Sequence, residues 1–96
     1  MNTFERSEVF DQWMVGLRDM KARARILNRI DSAICGNFGD CESIAEGVYE
    51  MRIHCGPGYR LYYTRREQRV YLLLVGGDKG SQKRDIRRAI EMARNL

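Results

Sequence analysis

The chain has 96 residues, 44% of them apolar and 31% charged, and a net charge of +4. That length supplies one apolar core, so residues 1–96 are expected to fold as a single domain, and the balance of apolar and charged side chains excludes disordered and fibrous classes. The longest apolar run, Val70 to Val75, is far shorter than the roughly 20 residues that cross a bilayer, and Glu5 and Glu8 stand where an export signal would be basic, so a cytoplasmic protein without a membrane partner is expected.

The charge is unevenly spread. Residues 1–48 carry six basic and eight acidic side chains, a balance of −2, whereas residues 49–96 carry eleven and five, a balance of +6. Such a basic half suits a polyanion, in a cytoplasm nucleic acid or the ribosome, with a solvated basic surface as the plain alternative. Cys35, Cys41 and Cys55 are an odd number without a C-x-x-C pair. They read as reduced, buried structural thiols rather than as a zinc site with His54, and no metal or cofactor is expected.

In chain order, "NTFE" reads as an edge strand. Phe10, Trp13, Met14 and Leu17 then fall at i, i+3, i+4, i+7, the spacing of one helical face, after Ser7 as N-cap. Asp19 caps a second helix with an apolar stripe of Ala22, Ile26, Leu27, Ile30, Ala33 and Ile34, and Gly36 offers a left-handed stop. The short connection makes the two an antiparallel helical hairpin. Trp13 and Met14 belong to its core face.

"NFGDCESIAEG" lacks a sustained period and reads as a loop with room for a brief strand. The period then becomes two. In "VYEMRIHC", Tyr49, Met51, Ile53 and Cys55 oppose Val48, Glu50, Arg52 and His54; in "YRLYYTR", Tyr59, Leu61 and Tyr63 oppose Arg60, Tyr62 and Thr64. "RVYLLLVGG" is apolar on both faces and belongs inside the sheet. "CGPG" and "RREQ" are hairpin connections. After Gly80, Ser81 is placed to cap a final helix with Ile86, Ala89, Ile90 and Ala93 inward and Lys83, Arg84, Arg87, Arg88 and Arg94 outward. The predicted fold is α+β, β-α-α-β-β-β-α, an antiparallel-rich sheet packed against an N-terminal helical hairpin and a C-terminal helix.

One sheet face is thus predicted to present Arg52, His54, Arg60 and Tyr62 to solvent. Guanidinium groups suit bidentate phosphate contacts and a tyrosine ring can stack on an unpaired base, which favours single-stranded RNA over a duplex groove. Facing cations at Arg52 and Arg60 repel unless an anion lies between them. "GPG" permits a tight reversal that sets the register of Arg60 against Arg52. In "GGDK", Gly76 and Gly77 allow another backbone or a ribose to approach, with Lys79 delivered just before a helix N-terminus. Neither glycine motif is a nucleotide-binding fingerprint.

"RARILNRID", "GPGYRLYY", "GGDKGSQKRDI" and "AIEMA" resemble the phage-related, HigB-like addiction-module killer proteins of the RelE/ParE superfamily, toxins of bacterial type II toxin–antitoxin systems. The resemblance runs from Phe10 to Ala93. It implies a RelE-like fold, a cognate antitoxin as partner and, for most RelE-like and HigB-like members, cleavage of mRNA in the ribosomal A site. Arg60 matches the arginine of the RelE "GYRLVY" strand, and Arg52, Lys79, Gln82 and Asp85 match the narrower killer-protein pattern. His54 lies outside that pattern, and the terminal tyrosine, histidine or arginine cluster of RelE and HigB enzymes is replaced by a basic helix.

The implied function is a metal-independent, ribosome-dependent mRNA endoribonuclease that inhibits translation. Arg60 and Arg52 would grip the phosphate, Lys79 would orient it or protonate the leaving oxygen, and Tyr62 would stack on the base. His54 would lie beside the RNA, and Arg65, Arg66, Arg69 and the final helix with Lys83, Arg84 and Arg87 would contact ribosomal RNA. Two alternatives stay open: a ParE-like inhibitor of DNA gyrase without nuclease activity, and a non-toxic relative that binds only an antitoxin.

Overall fold

The computed structural model describes residues 1–96 and runs β1 (Thr3–Arg6), α1 (Glu8–Gly16), α2 (Met20–Ile34), β2 (Cys41–Ala45), β3 (Val48–Ile53), β4 (Tyr59–Glu67), β5 (Val70–Asp78), a 3-10 turn (Lys79–Ser81) and α3 (Gln82–Arg94). The strands form one sheet in the order β1-β5-β4-β3-β2, with β1 parallel to β5 and every other pairing antiparallel. This is the α+β arrangement predicted, with the brief strand in the 37–47 segment realised as β2. Glu46 and Gly47, at φ 50° and 80°, make the two-residue turn between β2 and β3, the backbone that a primed hairpin turn demands.

The helix starts follow their predicted caps. The Ser7 hydroxyl accepts from the Phe10 amide and donates to the Leu74 carbonyl at 2.7 Å, which fixes the entry of α1 onto β5. Asp19 accepts from the Lys21 and Ala22 amides, and Gly36 follows α2 at φ 99°. The third cap differs. Asp78, not Ser81, receives the first amides after β5, those of Gly80 and Ser81, while the Ser81 hydroxyl donates to Asp85 at 2.5 Å. A carboxylate three residues earlier wins because the chain leaves β5 through a 3-10 turn before the α-helix begins.

Side-chain alternation gives the sheet two apolar faces. On one, Phe10, Met14, Ile26 and Ile30 from α1 and α2 pack on Met51, Ile53, Leu61, Tyr63 and Leu73. On the other, Ala89, Ile86 and Ile90 of α3 pack on Val48, Tyr62, Leu74 and Val75. The fully buried Ala89 and the partly buried Ile86 and Ile90 hold α3 to the sheet by its own apolar stripe. Covering that second face is the main departure from expectation: it is largely roofed by α3. No helix is long and apolar enough to cross a membrane.

The two glycines that end β5 are occupied from within. A Cβ on Gly76 would run into the Trp13 indole on the α1 side, and one on Gly77 into the Asp85 carboxylate on the α3 side. The close approach predicted there is made by a tryptophan and an aspartate of the chain itself. Cys41 and Cys55 are half-buried against the core, while Cys35, the C-cap of α2, is exposed.

Candidate anion-binding site

The β3–β4 hairpin fixes the geometry. Gly56 and Gly58 adopt φ 53° and 80°, the Gly58 amide donates to Cys55 at 3.0 Å, and the register that results sets Arg52 directly opposite Arg60. The two guanidinium groups therefore lie on one face, as predicted. What separates them is Glu50, completely buried one strand step along the same face. Its Oε1 accepts from Arg52 Nε at 3.0 Å; its Oε2 accepts from Gln82 Nε2 at 2.9 Å and lies 3.4 Å from Arg60 Nε. The anion that two facing cations require comes from the chain itself.

The arginines are not equivalent. The Arg60 side chain is 13% exposed; its Nη1 donates to the Gly58 carbonyl at 3.0 Å, and its Nε, though near Glu50, makes no hydrogen bond. Arg52, 28% exposed, also pairs with Asp40 at 3.1 Å and with Glu42, so three carboxylates surround it and favour its protonated form still further. Asp40 in turn accepts from His54 at 2.6 Å, and this bond holds its carboxyl below the ordinary carboxylate range. The loop carrying Asp40 is pinned by Arg29 of α2, which donates to the carbonyls of Phe38 and Arg52.

Tyr62 is not available to a base. Its ring is 0% exposed beneath α3 and its hydroxyl has no partner. Burial, reinforced by the Glu50 charge, raises its pKa and keeps it neutral. The expectation of stacking fails because residue 62 alternates onto the face that the final helix covers.

Further positive charge is found beside this core, free at Lys79, Lys83 and Arg87 and loosely paired at Arg84, whose Nε lies 3.7 Å from Asp85. Lys79, Lys83, Arg84 and Arg87, with Gln82, line an open concavity of about 410 Å³ that has no hydrophobic wall. Gly58 joins it to the arginines: a Cβ there would stand 3.4 Å from Arg60 Nη1 and 3.6 Å from Lys79 Cβ. Arg60, Lys79, Lys83, Arg84 and Arg87 thus belong to one continuous surface. Arg65 and Arg66 do not. Arg65 lines a cavity on the α1–α2 side, and Arg66 pairs with Glu5 at 3.5 Å. Glu50, Asp40 and Glu42 went unassigned in the sequence reading. Only Glu50 left a signal, as an acid in period with Arg52.

Asp40 and Glu42 compete with any phosphate for Arg52. The double variant Asp40→Asn, Glu42→Gln should therefore bind a polyanion such as heparin more tightly, by about threefold to tenfold at low salt, an advantage that shrinks as salt screens the exposed pair. Unchanged affinity in a salt-titrated binding assay would show that Arg52 takes no part in anion binding.

The family model for the phage derived protein Gp49-like family (DUF891) matches residues 13–96. The chain is also 41% identical over 87 residues, covering 91% of itself and 88% of the relative, to an uncharacterized protein of Haemophilus influenzae (strain ATCC 51907 / DSM 11121 / KW20 / Rd). The sheet flanked by three helices is consistent with a RelE-like fold, and the Gp49-like family is a RelE/HigB-like family. The chain belongs to the Gp49-like family, which is associated with toxin–antitoxin systems and so implies an antitoxin partner.

Proposed function

We propose that the chain acts as one toxin domain of a bacterial type II toxin–antitoxin pair in the cytoplasm: a ribosome-dependent mRNA endoribonuclease neutralised by its cognate antitoxin. The observation that carries this reading is the unbroken cationic surface from Arg60 through Lys79 to Arg87, which is the right chemistry for a sugar-phosphate strand. Cleavage proceeds by attack of the ribose 2′-oxygen on the adjacent phosphorus: the P–O5′ bond breaks, the 2′-hydroxyl proton is lost to solvent or the ribosome, and the 5′-oxygen gains one. The products are a 2′,3′-cyclic phosphate and a 5′-hydroxyl.

Arg60 and Lys79 stabilise the extra negative charge of the pentacoordinate state, with Lys79 beside the leaving oxygen. Arg52 orients the site through Glu50 and reaches phosphate when Asp40 and Glu42 release it. Lys83, Arg84 and Arg87 hold the flanking strand. His54, exposed and bonded to Asp40, lies at the rim and contacts the RNA backbone. In place of Tyr62, the ribosome arranges the base, which accounts for dependence on it.

A gyrase-inhibiting reading is favoured by one observation, the internal neutralisation of Arg52 by three carboxylates. Toe-printing on translating ribosomes and a supercoiling assay, both with purified protein, separate the two. The nuclease reading expects A-site cuts with wild type, at least 100-fold fewer with Arg60→Ala, and no effect on supercoiling. Intact mRNA together with blocked supercoiling would assign the protein to gyrase.

A further inference from the structure

On the opposite face from Arg60, at the open end of the α1–α2 layer, the strands carry a row of rings. Phe4 of β1 stacks on Tyr71 of β5 at 5.0 Å and 13°, and Tyr49 of β3 stacks on Tyr63 of β4 at 5.4 Å and 20°. Phe38, from the loop before β2, leans across Tyr63 and Tyr71 at 6.0 and 5.3 Å. Between them lies a cavity of about 280 Å³ walled by Phe38, Tyr49 and Tyr71, floored by the buried Tyr63, and bounded by Cys41 and Arg65. All three wall residues are half-buried.

The size and walls limit the occupant. Pockets for drug-sized ligands run from about 300 to 1,000 Å³, so this one suits a single planar ring system. Its π-faces are sequence-tolerant stacking surfaces for a base. The one charged side chain lining the cavity is a cation: Arg65, opposite Tyr71 in the β4–β5 register, with its Nε on the Glu67 carbonyl at 3.2 Å, and the exposed Glu67 and Arg69 lie at the adjoining turn. An aromatic peptide side chain would use the rings but would give the arginines nothing to neutralise. A nucleotide uses both.

We propose that this aromatic slot binds one unpaired nucleobase of a polynucleotide strand, with Arg65 meeting the phosphate beside it. The slot lies across the sheet from Arg60 and Lys79, so it takes a nucleotide remote from any that is cleaved. It adds to the nuclease reading without depending on it. Tyr62, the tyrosine first expected to stack, is on the wrong face; Tyr49 and Tyr71 take that role.

The test is a fluorescence-anisotropy titration of a short oligoadenylate against an abasic oligonucleotide of equal length, at fixed low salt. Wild type should bind the oligoadenylate at least tenfold more tightly than the abasic strand. Tyr49→Ala should erase that difference, Tyr49→Phe should keep it, and Arg65→Ala should weaken both strands alike while lowering the salt slope by about one. Thermal melting checks that each variant is folded. Should Tyr49→Ala unfold, ring-proton chemical shifts of Tyr49, Phe38 and Tyr71 in the wild type supply the same answer: they move with oligoadenylate and stay fixed with the abasic strand. Equal affinity for the two strands, or rings that respond only to an aromatic peptide, would overturn the proposal, whatever ribosome cleavage shows.

Discussion

Glu50→Ala should lower unfolding stability by about 3 kcal/mol, because removing one partner of a buried ion pair strands the charges it held. The carboxylate is fully buried and serves Arg52, Gln82 and Arg60 together. The lower end of the usual range of about 3–5 kcal/mol applies, since Arg52 retains Asp40 and Glu42 and Arg60 retains the Gly58 carbonyl. Urea denaturation of the two proteins reads this directly as a drop in midpoint at constant slope. Glu50→Ala combined with Arg60→Ala should cost less than the sum of the single changes, by roughly 0.5–3 kcal/mol, as expected for residues in one network. Full additivity would mean that Glu50 does not hold Arg60, and the account of how two arginines share a strand face would fail.

That network also marks where the sequence was legible. Strand and helix patterns placed the three helices and β3 to β5, while β2 lay in a segment without a period; the glycines of "CGPG" fixed the Arg52–Arg60 register, because these depend on local backbone geometry. What sequence periodicity cannot carry is the layer above a face. Arg60, Tyr62 and Thr64 alternate as polar strand residues do, and nothing in that alternation says that the apolar stripe of α3 will lie across them. Asp40 and Glu42 come from a segment with no period, so their convergence on Arg52 was invisible. The family resemblance reached Gln82 and Asp85 without a reason for either. The structure supplies one, since Gln82 bonds Glu50 and Asp85 receives the Ser81 hydroxyl.

Asp85 leads to the second large effect. Gly77 sits opposite Arg60 in the β4–β5 register, and the space where its side chain would be is filled by the Asp85 carboxylate of α3, with the Ser81 hydroxyl 2.8 Å from the position a Cβ would take. Asp85 is buried, so neither group can swing into solvent without breaking the bond between them. Gly77→Ala must therefore lift the first turn of α3 off the sheet, at about 3 kcal/mol or more, the upper end of the cost of overpacking. Because Lys83 and Arg84 ride on that turn and Lys79 and Arg87 flank it, polyanion affinity should fall together with stability. Gly76→Ala is the control: it collides with Trp13 on the far face, so it should destabilise comparably while the folded fraction keeps its affinity. Removing the obstacle, in Gly77→Ala with Asp85→Ala, should leave the pair more stable than the two separate losses would add up to. A Gly77→Ala protein with an unchanged denaturation midpoint would show that α3 is not seated against β5 through this contact, and the cationic shelf would lose its link to Arg60.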